Sequence, residues 1–297
     1  MSAMIIAESS GFDLSPLTDR TPHPLLPLTG KSLLLHALEA MHRTGIRDVE
    51  VVSPSLHKQL EAATDTRPLL GMQVRFTPRI SDPTEPDQQC LVTGLQVLAD
   101  IDWEKTIRQI NDSLHEPHLA IRLMSSGETF ALLLSPGFDG KVSPDWYDNY
   151  HTEAIQLSYP DICLVATHSL AAYYDANINL VNGTYRYLKP AGRDITIGHR
   201  ASPKARVHAK SMQTRNGYFG SNSKVDKTAS LFGSVVLGNN VVVDKGARVT
   251  DSIIFDSTYI GANTDCSEAI ISGNVMIKAR TGVCLELNDP VLFDTIA

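Results

Sequence analysis

A period of six residues runs through the carboxy-terminal part of the chain and restricts its fold more than any other feature. Eight positions follow one another at steps of six: Val207, Gln213, Phe219, Val225, Leu231, Leu237, Val243 and Val249. All of them except Gln213 carry a large apolar side chain. The residue two places before each of them is small or β-branched. After Val249 the period shifts by one residue and continues at Ile254, Ile260 and Cys266. Such a chain must turn one side chain in six into its interior.

An α-helix cannot gather positions six apart on one face, because its period is 3.6 residues. A coil of three short parallel strands can, with one six-residue strand on each side. The pattern resembles the hexapeptide repeats of left-handed parallel β-helices and predicts such a coil over residues 195–285. A β-sandwich, the alternative, would show alternation with a period of two. We expect the coil domain to occupy residues 195–297, with the segment 288–293 as a cap over its end.

Composition limits the function classes. The chain has 297 residues, enough for two domains, and a net charge of -7 without a long basic run, which argues against general nucleic-acid binding. Cys90, Cys163, Cys266 and Cys284 lack metal-ligand spacing, so we expect buried free thiols. No apolar run reaches the roughly 18 residues of a membrane span, and no basic segment precedes an apolar run at the start. We therefore expect a cytoplasmic protein without membrane contact.

The amino-terminal part alternates strand and helix patterns, which predicts an α/β domain over residues 1–165 and a helical connector over 166–194. Expected strands cover residues 4–7, 48–52, 72–77, 89–93, 118–124 and 129–134, and expected helices cover 31–44 and 103–114. Ligands of such domains bind at the carboxyl ends of the strands, where the segment AESSGFDLSPLT follows the first strand.

The stretch SGFDLSPLTDRTPHPLLPLTGKSLLLHALEAMHRTGIRDVEVV resembles the start of sugar-1-phosphate nucleotidyltransferases, also called NDP-sugar pyrophosphorylases. Their signature is a loop G-x-G-T-R-L-x-P-L-T followed by P-K-P-L-L-P and a helix. The stretch QQCLVTGLQVLADID resembles the family strand that ends in Gly-Asp. The resemblance covers residues 1–105 and 165–285. It implies a Rossmann-like, GT-A-like nucleotidyltransferase domain followed by a left-handed β-helix.

The family joins a nucleoside triphosphate to a sugar 1-phosphate and releases pyrophosphate, using a metal ion and cations around the phosphates. The departures from the family pattern fall on those positions. Aspartate stands at the loop arginine, serine at a loop glycine, histidine at the lysine of P-K-P and leucine at the metal-binding aspartate. The resemblance thus implies a degenerate nucleotide-binding loop of Ser9, Ser10, Gly11, Asp13 and His23, and a degenerate metal position at Leu95.

Asp13 is the gravest departure. At about 4 Å and an effective dielectric near 20, a unit-charge interaction is worth about 4 kcal/mol, so exchanging arginine for aspartate changes the energy by about 8 kcal/mol before screening. Leu95 offers no oxygen to Mg²⁺. We therefore expect no catalytic residue and no cofactor; Mg²⁺ is expected only if the site is rearranged. Asp100 and Asp102 lie near enough in sequence to supply a shifted ligand, but capping of the following helix is favoured.

Two further pairs have a functional and a structural interpretation. His199 and His208 lie at the start of the predicted coil, where hexapeptide acyltransferases carry a catalytic histidine, but a surface position is favoured. Tyr173 and Tyr174 lie on the predicted connector helix, where packing is favoured over ligand stacking.

Lys189, Arg193 and Arg200 form a small cationic run that suits either an anion or a solvated linker. The segment Asp145–Tyr147 suits a sugar, a partner or an ordinary loop.

Three hypotheses follow. The favoured one is a family member that has lost catalysis and binds a nucleotide sugar, regulates an active relative or serves as a scaffold in sugar-nucleotide or exopolysaccharide metabolism. The second is an active nucleotidyltransferase, for instance for mannose or glucose 1-phosphate, with a rearranged site. The third is a hexapeptide-repeat acyltransferase. As partners we expect further copies of the chain or an active paralogue.

Overall fold

The structure is a computed structural model that describes residues 1–7, 14–80, 88–113, 120–136, 138, 142, 154–287, 289 and 291–295. These residues form two compact units. Unit 1 contains residues 1–7 and the described parts of Thr18–Leu26 and Ser32–Thr167. Unit 2 contains Leu14–Leu17, Pro27–Lys31 and the described part of His168–Ala297. Among the described residues, no helix has the length and apolar character needed to cross a membrane.

Within the described residues, the first eleven strands are interspersed with five α-helices. The strands are β1 Ser2–Ile6, β2 Pro27–Leu28, β3 Lys31–Ser32, β4 Asp48–Val52, β5 Gln73–Thr77, β6 Cys90–Gly94, β7 Val97–Asp100, β8 Ala120–Ser125, β9 Glu128–Leu134, β10 Ile155–Ser158 and β11 Cys163–Ala166. The helices are α1 Leu17–Arg20, α2 Leu33–Arg43, α3 His57–Ala63, α4 Trp103–Ser113 and α5 Leu170–Val181, with a 3-10 helix at His23–Leu25. The predicted strands and helices of the α/β domain are confirmed to within two residues wherever the chain is described.

Unit 1 is built on a seven-stranded mixed sheet with the order β10-β8-β9-β6-β1-β4-β5. The central strand β1 runs parallel to both neighbours, with Ile6 level with Val52 on one side and with Gly94 on the other. Its residues are buried from Ala3 onward, which fits a strand covered on both faces. The crossover from β1 to β4 includes α2, whose first turn is capped by the Ser32 hydroxyl accepting from the Leu35 amide at 3.1 Å. The sheet therefore brings the carboxyl ends of β1, β4 and β6 to one edge.

Unit 2 contains the remaining strands, most of which stack in parallel. They are β12 Arg193–Thr196, β13 His199–Ala201, β14 Arg206–Val207, β15 Met212–Phe219, β16 Lys224–Val225, β17 Ser230–Leu237, β18 Val242–Val243, β19 Arg248–Ile254, β20 Thr258–Ile260, β21 Asp265–Ser267, β22 Ile270–Ser272, β23 Val275–Lys278, β24 Val283–Glu286 and β25 Phe293–Thr295. One sheet places Val207 level with Val225 and Val225 level with Val243. The chain thus returns to the same place after 18 residues, which is three periods of six.

The positions of the six-residue period meet in one buried cluster. Phe219, Leu231, Leu237 and Val249 belong to it, and so do the small residues two places before several of them. Gln213 departs from the pattern: its side chain is exposed, and Met212 lies level with Leu231 in its place. The strand shifts by one residue at this point, because an amide buried without a partner would be costly.

The helix α5 packs within unit 2 and binds it through polar side chains. The Tyr173 hydroxyl donates to the Pro27 carbonyl, and the Tyr174 hydroxyl donates to the Asp251 carbonyl at 2.6 Å. Asn177 is fully buried, and its Oδ1 accepts from the Thr29 amide at 2.8 Å. The favoured packing role of the two tyrosines agrees with these contacts. At the other end, β25 pairs antiparallel with β20, and Phe293 joins the buried cluster.

The cysteines differ from the expectation of four buried thiols. All four are free, but only Cys90 and Cys266 are buried, whereas Cys163 and Cys284 are exposed. Both exposed residues lie in short strands: β24 is exposed throughout, and in β11 only Val165 is buried. The expectation of burial was therefore wrong for these two residues.

We predict that Leu231→Ala lowers the free energy of unfolding of unit 2 by about 2–5 kcal/mol, because it leaves a cavity in the stacked core. Gln213→Ala, on the same stack but exposed, should change it by about 0.5 kcal/mol or less. Denaturant titration of both variants followed by circular dichroism measures the difference. Equal effects of the two substitutions would contradict the assignment of Leu231 to the core.

We also predict that Cys284 and Cys163 react with a thiol reagent in the folded protein, whereas Cys90 and Cys266 react only when it unfolds. Burial raises the pKa of Cys90 to about 11 and that of Cys266 to about 12. Since the folded state holds these protons more tightly than the unfolded state, the free energy of unfolding falls as the pH rises above about 8.5. Reagent labelling followed by peptide mapping identifies the reacting residues. Rapid native labelling of Cys266 would overturn this prediction.

Candidate functional site

The position at which the sequence predicts a nucleotide lies at one edge of the unit 1 sheet. Because Ile6 and Gly94 are level, the chain leaves β1 at Ala7 and leaves β6 at Leu95 side by side. In the strand order, β4 lies on one side of β1 and β6 lies on the other, so the order of the strands reverses at β1. Crevices at such places are the usual ligand sites of α/β sheets. The predicted loop residues Ser9, Ser10, Gly11 and Asp13 lie outside the described residues, so the electrostatic effect of Asp13 stays a prediction.

Leu95 occupies the predicted metal position as a buried apolar residue. Its side chain is only 1% exposed. Its carbonyl oxygen accepts a hydrogen bond from the Thr167 hydroxyl at 2.8 Å. The backbone of the same turn is held as well, because the Thr167 amide donates to the Gln96 carbonyl at 2.9 Å. Leu95 therefore contributes packing and a backbone acceptor to the sheet edge.

His23 lies on the other side of the same threonine. It begins the 3-10 helix His23–Leu25 and is 1% exposed. Its Nε2 lies 3.1 Å from the Thr167 carbonyl and 3.2 Å from the Thr167 hydroxyl. Because a carbonyl oxygen only accepts, Nε2 carries the proton of this bond. A phosphate ligand needs an accessible cation, so His23 in this position anchors the chain instead.

Thr167 thus joins the two positions at which the family resemblance implies a phosphate-binding cation and a metal ligand. Its hydroxyl binds the Leu95 turn, and its carbonyl binds His23. Thr167 is itself fully buried at the end of β11. The arrangement stabilises the edge of the sheet through hydrogen bonds between buried groups, each of which would be costly to leave unmade.

The described residues do not fit a magnesium ion. Mg²⁺ needs several oxygen ligands in octahedral geometry, and Leu95 offers none from its side chain. Asp102 is engaged at the start of α4, where its Oδ1 accepts from the Lys105 amide at 3.1 Å; the favoured capping role agrees with this bond. Asp100 lies in β7 and is level with Cys163 of β11. Within the described part of the chain, no three His, Cys, Asp or Glu side chains are grouped as metal ligands.

The two histidines of unit 2 are engaged by their own neighbourhood. The Nδ1 atom of His199 lies 3.0 Å from the Ile197 carbonyl and therefore donates to it. Its Nε2 lies 2.7 Å from the Thr214 hydroxyl, which occupies the lone pair that a general base would use. The Nδ1 atom of His208 accepts from the Lys210 amide at 3.1 Å. Both histidines have structural bonds at the atoms on which acyl-transfer catalysis would depend.

The other predicted candidates do not converge on a site. Arg200 pairs with Asp194 at 3.5 Å and donates to the Gly192 carbonyl at 2.7 Å. Lys189 donates to the Tyr185 carbonyl at 3.4 Å, and Arg193 lies in the exposed strand β12. Asp145–Tyr147 lies outside the described residues. The structure therefore gives these cations local partners and an exposed position.

Comparisons with known proteins agree with this architecture. Residues 214–286 match the family described as GMPPB C-terminal domain. An N-acetylmuramate alpha-1-phosphate uridylyltransferase of Neisseria meningitidis serogroup B is 30% identical over 135 residues, which are 41% of this chain and 58% of that protein. The match therefore spans less than two thirds of this relative.

Two further relatives carry related names. A glucose-1-phosphate thymidylyltransferase of Streptomyces griseus is 22% identical over 304 residues, covering 91% of this chain and 81% of that protein. A bifunctional sugar-1-phosphate nucleotidylyltransferase/acetyltransferase of Sulfurisphaera tokodaii is 36% identical over 59 residues, which are 20% of this chain and 15% of that protein. The resemblance predicted from the sequence is confirmed: the chain is similar to proteins named as sugar-1-phosphate nucleotidyltransferases, whereas the degenerate motif stays a prediction.

Sequence reasoning did not find Thr167 or Asn177 as the residues that hold these segments together. Thr167 lies 144 residues from His23 and 72 from Leu95, so no local pattern links them. Asn177 gave a weak signal, since a polar residue in an otherwise apolar helix face needs a partner when it is buried. Only the folded chain identifies that partner as Thr29.

We predict that Thr167→Val lowers the free energy of unfolding of unit 1 by about 1–3 kcal/mol, because the Leu95 carbonyl loses a buried donor and His23 keeps only the Thr167 carbonyl. Thr66→Val, an exposed position in the same unit, is the matched control. Urea titration of both variants tests the prediction. It fails if the two substitutions have the same effect.

Proposed function

We propose that the chain is a nucleotidyltransferase-like protein that has lost catalysis and uses its scaffold to bind a nucleotide sugar, or to regulate or assemble with an active relative. The observation that carries the proposal is Leu95, a buried side chain at the metal position whose backbone oxygen is bound to Thr167. A reaction that depends on a metal-held triphosphate loses its main source of charge stabilisation when that ligand is apolar.

His23 supports the same proposal. At the position of a family lysine, the chain has a buried imidazole that donates to a backbone carbonyl. Phosphoryl chemistry needs cations directed at the negative charge that develops in the transition state. The predicted repulsion by Asp13 acts in the same direction as these two differences.

An active nucleotidyltransferase is the second candidate, and the relatives favour it. Two of them are named as a uridylyltransferase and a thymidylyltransferase, and the second covers most of this chain. Such an enzyme would hold mannose 1-phosphate, glucose 1-phosphate or a similar sugar in a rearranged site and would need a cation and a carboxylate near Ser9–Asp13. An acyltransferase has less support, because His199 and His208 both have local hydrogen bonds.

The finer features of the protein form part of the same proposal. We propose that the parallel stack of unit 2 is the left-handed β-helix of hexapeptide repeats, since its core positions recur after 18 residues. We propose further that the protein acts in the cytoplasm, in sugar-nucleotide or exopolysaccharide metabolism, as a homo-oligomer or together with an active paralogue.

We predict no release of pyrophosphate above background when the protein is incubated with Mg²⁺, four nucleoside triphosphates and a panel of sugar 1-phosphates. Thermal-shift measurements with nucleotides and nucleotide sugars should nevertheless show a specific stabiliser, because a ligand that binds only the folded state raises the melting temperature.

The variant Asp13→Ala distinguishes the two candidates. Turnover that disappears in Asp13→Ala, but persists in Asp48→Ala at the amino end of β4, would establish a rearranged active site and refute the loss of catalysis. The absence of any stabilising nucleotide or nucleotide sugar would refute the binding role.

A further inference from the structure

One groove of unit 2 is lined by an excess of positive charge. Lys204, Arg206 and Lys224 surround a cavity of about 330 Å³, together with Asn222, Asn240 and Val242. We call this cavity the basic groove. Its volume lies at the lower end of the range for small-molecule sites. Because the whole chain has a net charge of -7, its average composition does not account for three cations around one small cavity.

Strand register brings two of these cations together. The strands β14 and β16 are parallel neighbours in which Arg206 is level with Lys224. Val207 and Val225, the next residues, face the core, so the two cations lie on the outer face. Neighbouring strands are about 4.8 Å apart, and like charges directly opposite each other destabilise a sheet. A counter-charge in the groove would relieve this repulsion.

The acidic residues nearby are already engaged elsewhere. The Asp226 carboxylate accepts from the Thr228 amide at 2.8 Å and from its hydroxyl at 2.6 Å. The Asp244 carboxylate accepts from the Lys245 amide at 2.7 Å and from the Tyr259 hydroxyl at 2.8 Å. Among the described residues, no carboxylate pairs with the three cations of the basic groove.

The shape and chemistry of the groove favour a small phosphorylated ligand. Arginine binds phosphate oxygens in pairs, lysine supplies a point charge, and side-chain amides donate further hydrogen bonds. A second copy of the chain docked groove to groove about a two-fold axis would bring these cations against one another. Arg206 and Lys224 are separated by one strand spacing, about 4.8 Å, and Lys204, two residues before Arg206, adds a third cation, so the charge suits two phosphate groups better than one.

We propose that the basic groove binds a small anion with two phosphate groups, a diphosphate or a bisphosphate. The site lies entirely in unit 2 and uses none of the residues at the edge of the unit 1 sheet. The proposal therefore goes beyond the proposed function and holds or fails independently of it.

The test is isothermal titration of the full chain with inorganic pyrophosphate, without divalent metal and at constant ionic strength. We expect saturable binding that the double variant Arg206→Gln/Lys224→Gln weakens by about ten-fold or more, since it removes both paired cations. The control is Arg215→Gln/Lys245→Gln, which removes one arginine and one lysine at exposed positions outside the groove. The control should change the affinity by about two-fold at most, as isolated surface charges do.

Three results would overturn the proposal. Fructose 1,6-bisphosphate, whose phosphate groups are further apart than those of pyrophosphate, is titrated in parallel; failure of both to bind in a saturable manner refutes the site. Binding that survives Arg206→Gln/Lys224→Gln places the anion elsewhere, for example in unit 1. An oligonucleotide that binds more tightly than pyrophosphate and loses its binding in the same variant identifies a nucleic-acid surface.

A thermal measurement confirms that the variants fold. Without ligand, Arg206→Gln/Lys224→Gln should melt at the same temperature as the natural chain or higher at low salt, because the like-charge pair is gone. Pyrophosphate should raise the melting temperature of the natural chain and of the control, but not that of the groove variant. Equal stabilisation of all three proteins would contradict the proposal.

Discussion

Parallel strand pairing is the constraint on which both units of this protein depend. Parallel neighbours cannot be joined by a tight turn, so each pair needs a long crossover. In unit 1 the crossover from β1 to β4 includes a helix, whereas in unit 2 the chain passes through other strands before it returns after 18 residues. The two solutions give different surfaces. The first gathers loop residues at the carboxyl ends of strands, and the second repeats the same outward positions on successive layers.

The two kinds of surface differ in the polar groups that they leave for a ligand. At the edge of the unit 1 sheet, residues from three distant segments meet at Thr167, which bonds to the Leu95 carbonyl and to His23. Buried hydrogen bonds of this kind stabilise the fold and leave little to offer a ligand. On the layers of unit 2, equivalent outward positions are stacked, so two cations in equivalent positions must lie side by side. Because no described carboxylate pairs with these two cations, their charge is available to bind an anion.

Relationship to the nucleotidyltransferases therefore has a different meaning for each part of the chain. The matched family domain covers residues 214–286, within the parallel stack, and the relatives extend the match over the α/β unit. The retained features are those that form strands, turns and helices. Leu95 and His23, which the sequence predicts at a metal position and a cation position, belong to the interior. A shared shape does not require shared chemistry, because packing and catalysis depend on different atoms.

Periodicity was sufficient for the elements: the six-residue period identified the core positions of unit 2, and the helix pattern located α2 to within two residues. These signals failed where a shift of one residue changes which side chain faces the core. A shift of one position moves a strand residue to the other face, so Met212 rather than Gln213 lies level with Leu231. The burial of the two exposed cysteines was predicted wrongly for a related reason, since composition cannot distinguish a short exposed strand from a buried one.

The sequence by itself determined the order of the elements, the apolar core of the stack and the absence of a side-chain oxygen at Leu95, because each of these follows from residue type and spacing along the chain. Only the tertiary structure decided that Thr167 would join His23 to Leu95 and that Arg206 would lie beside Lys224. Those contacts connect residues 144, 72 and 18 positions apart. Their distances depend on strand register, which arises only when the whole sheet has formed.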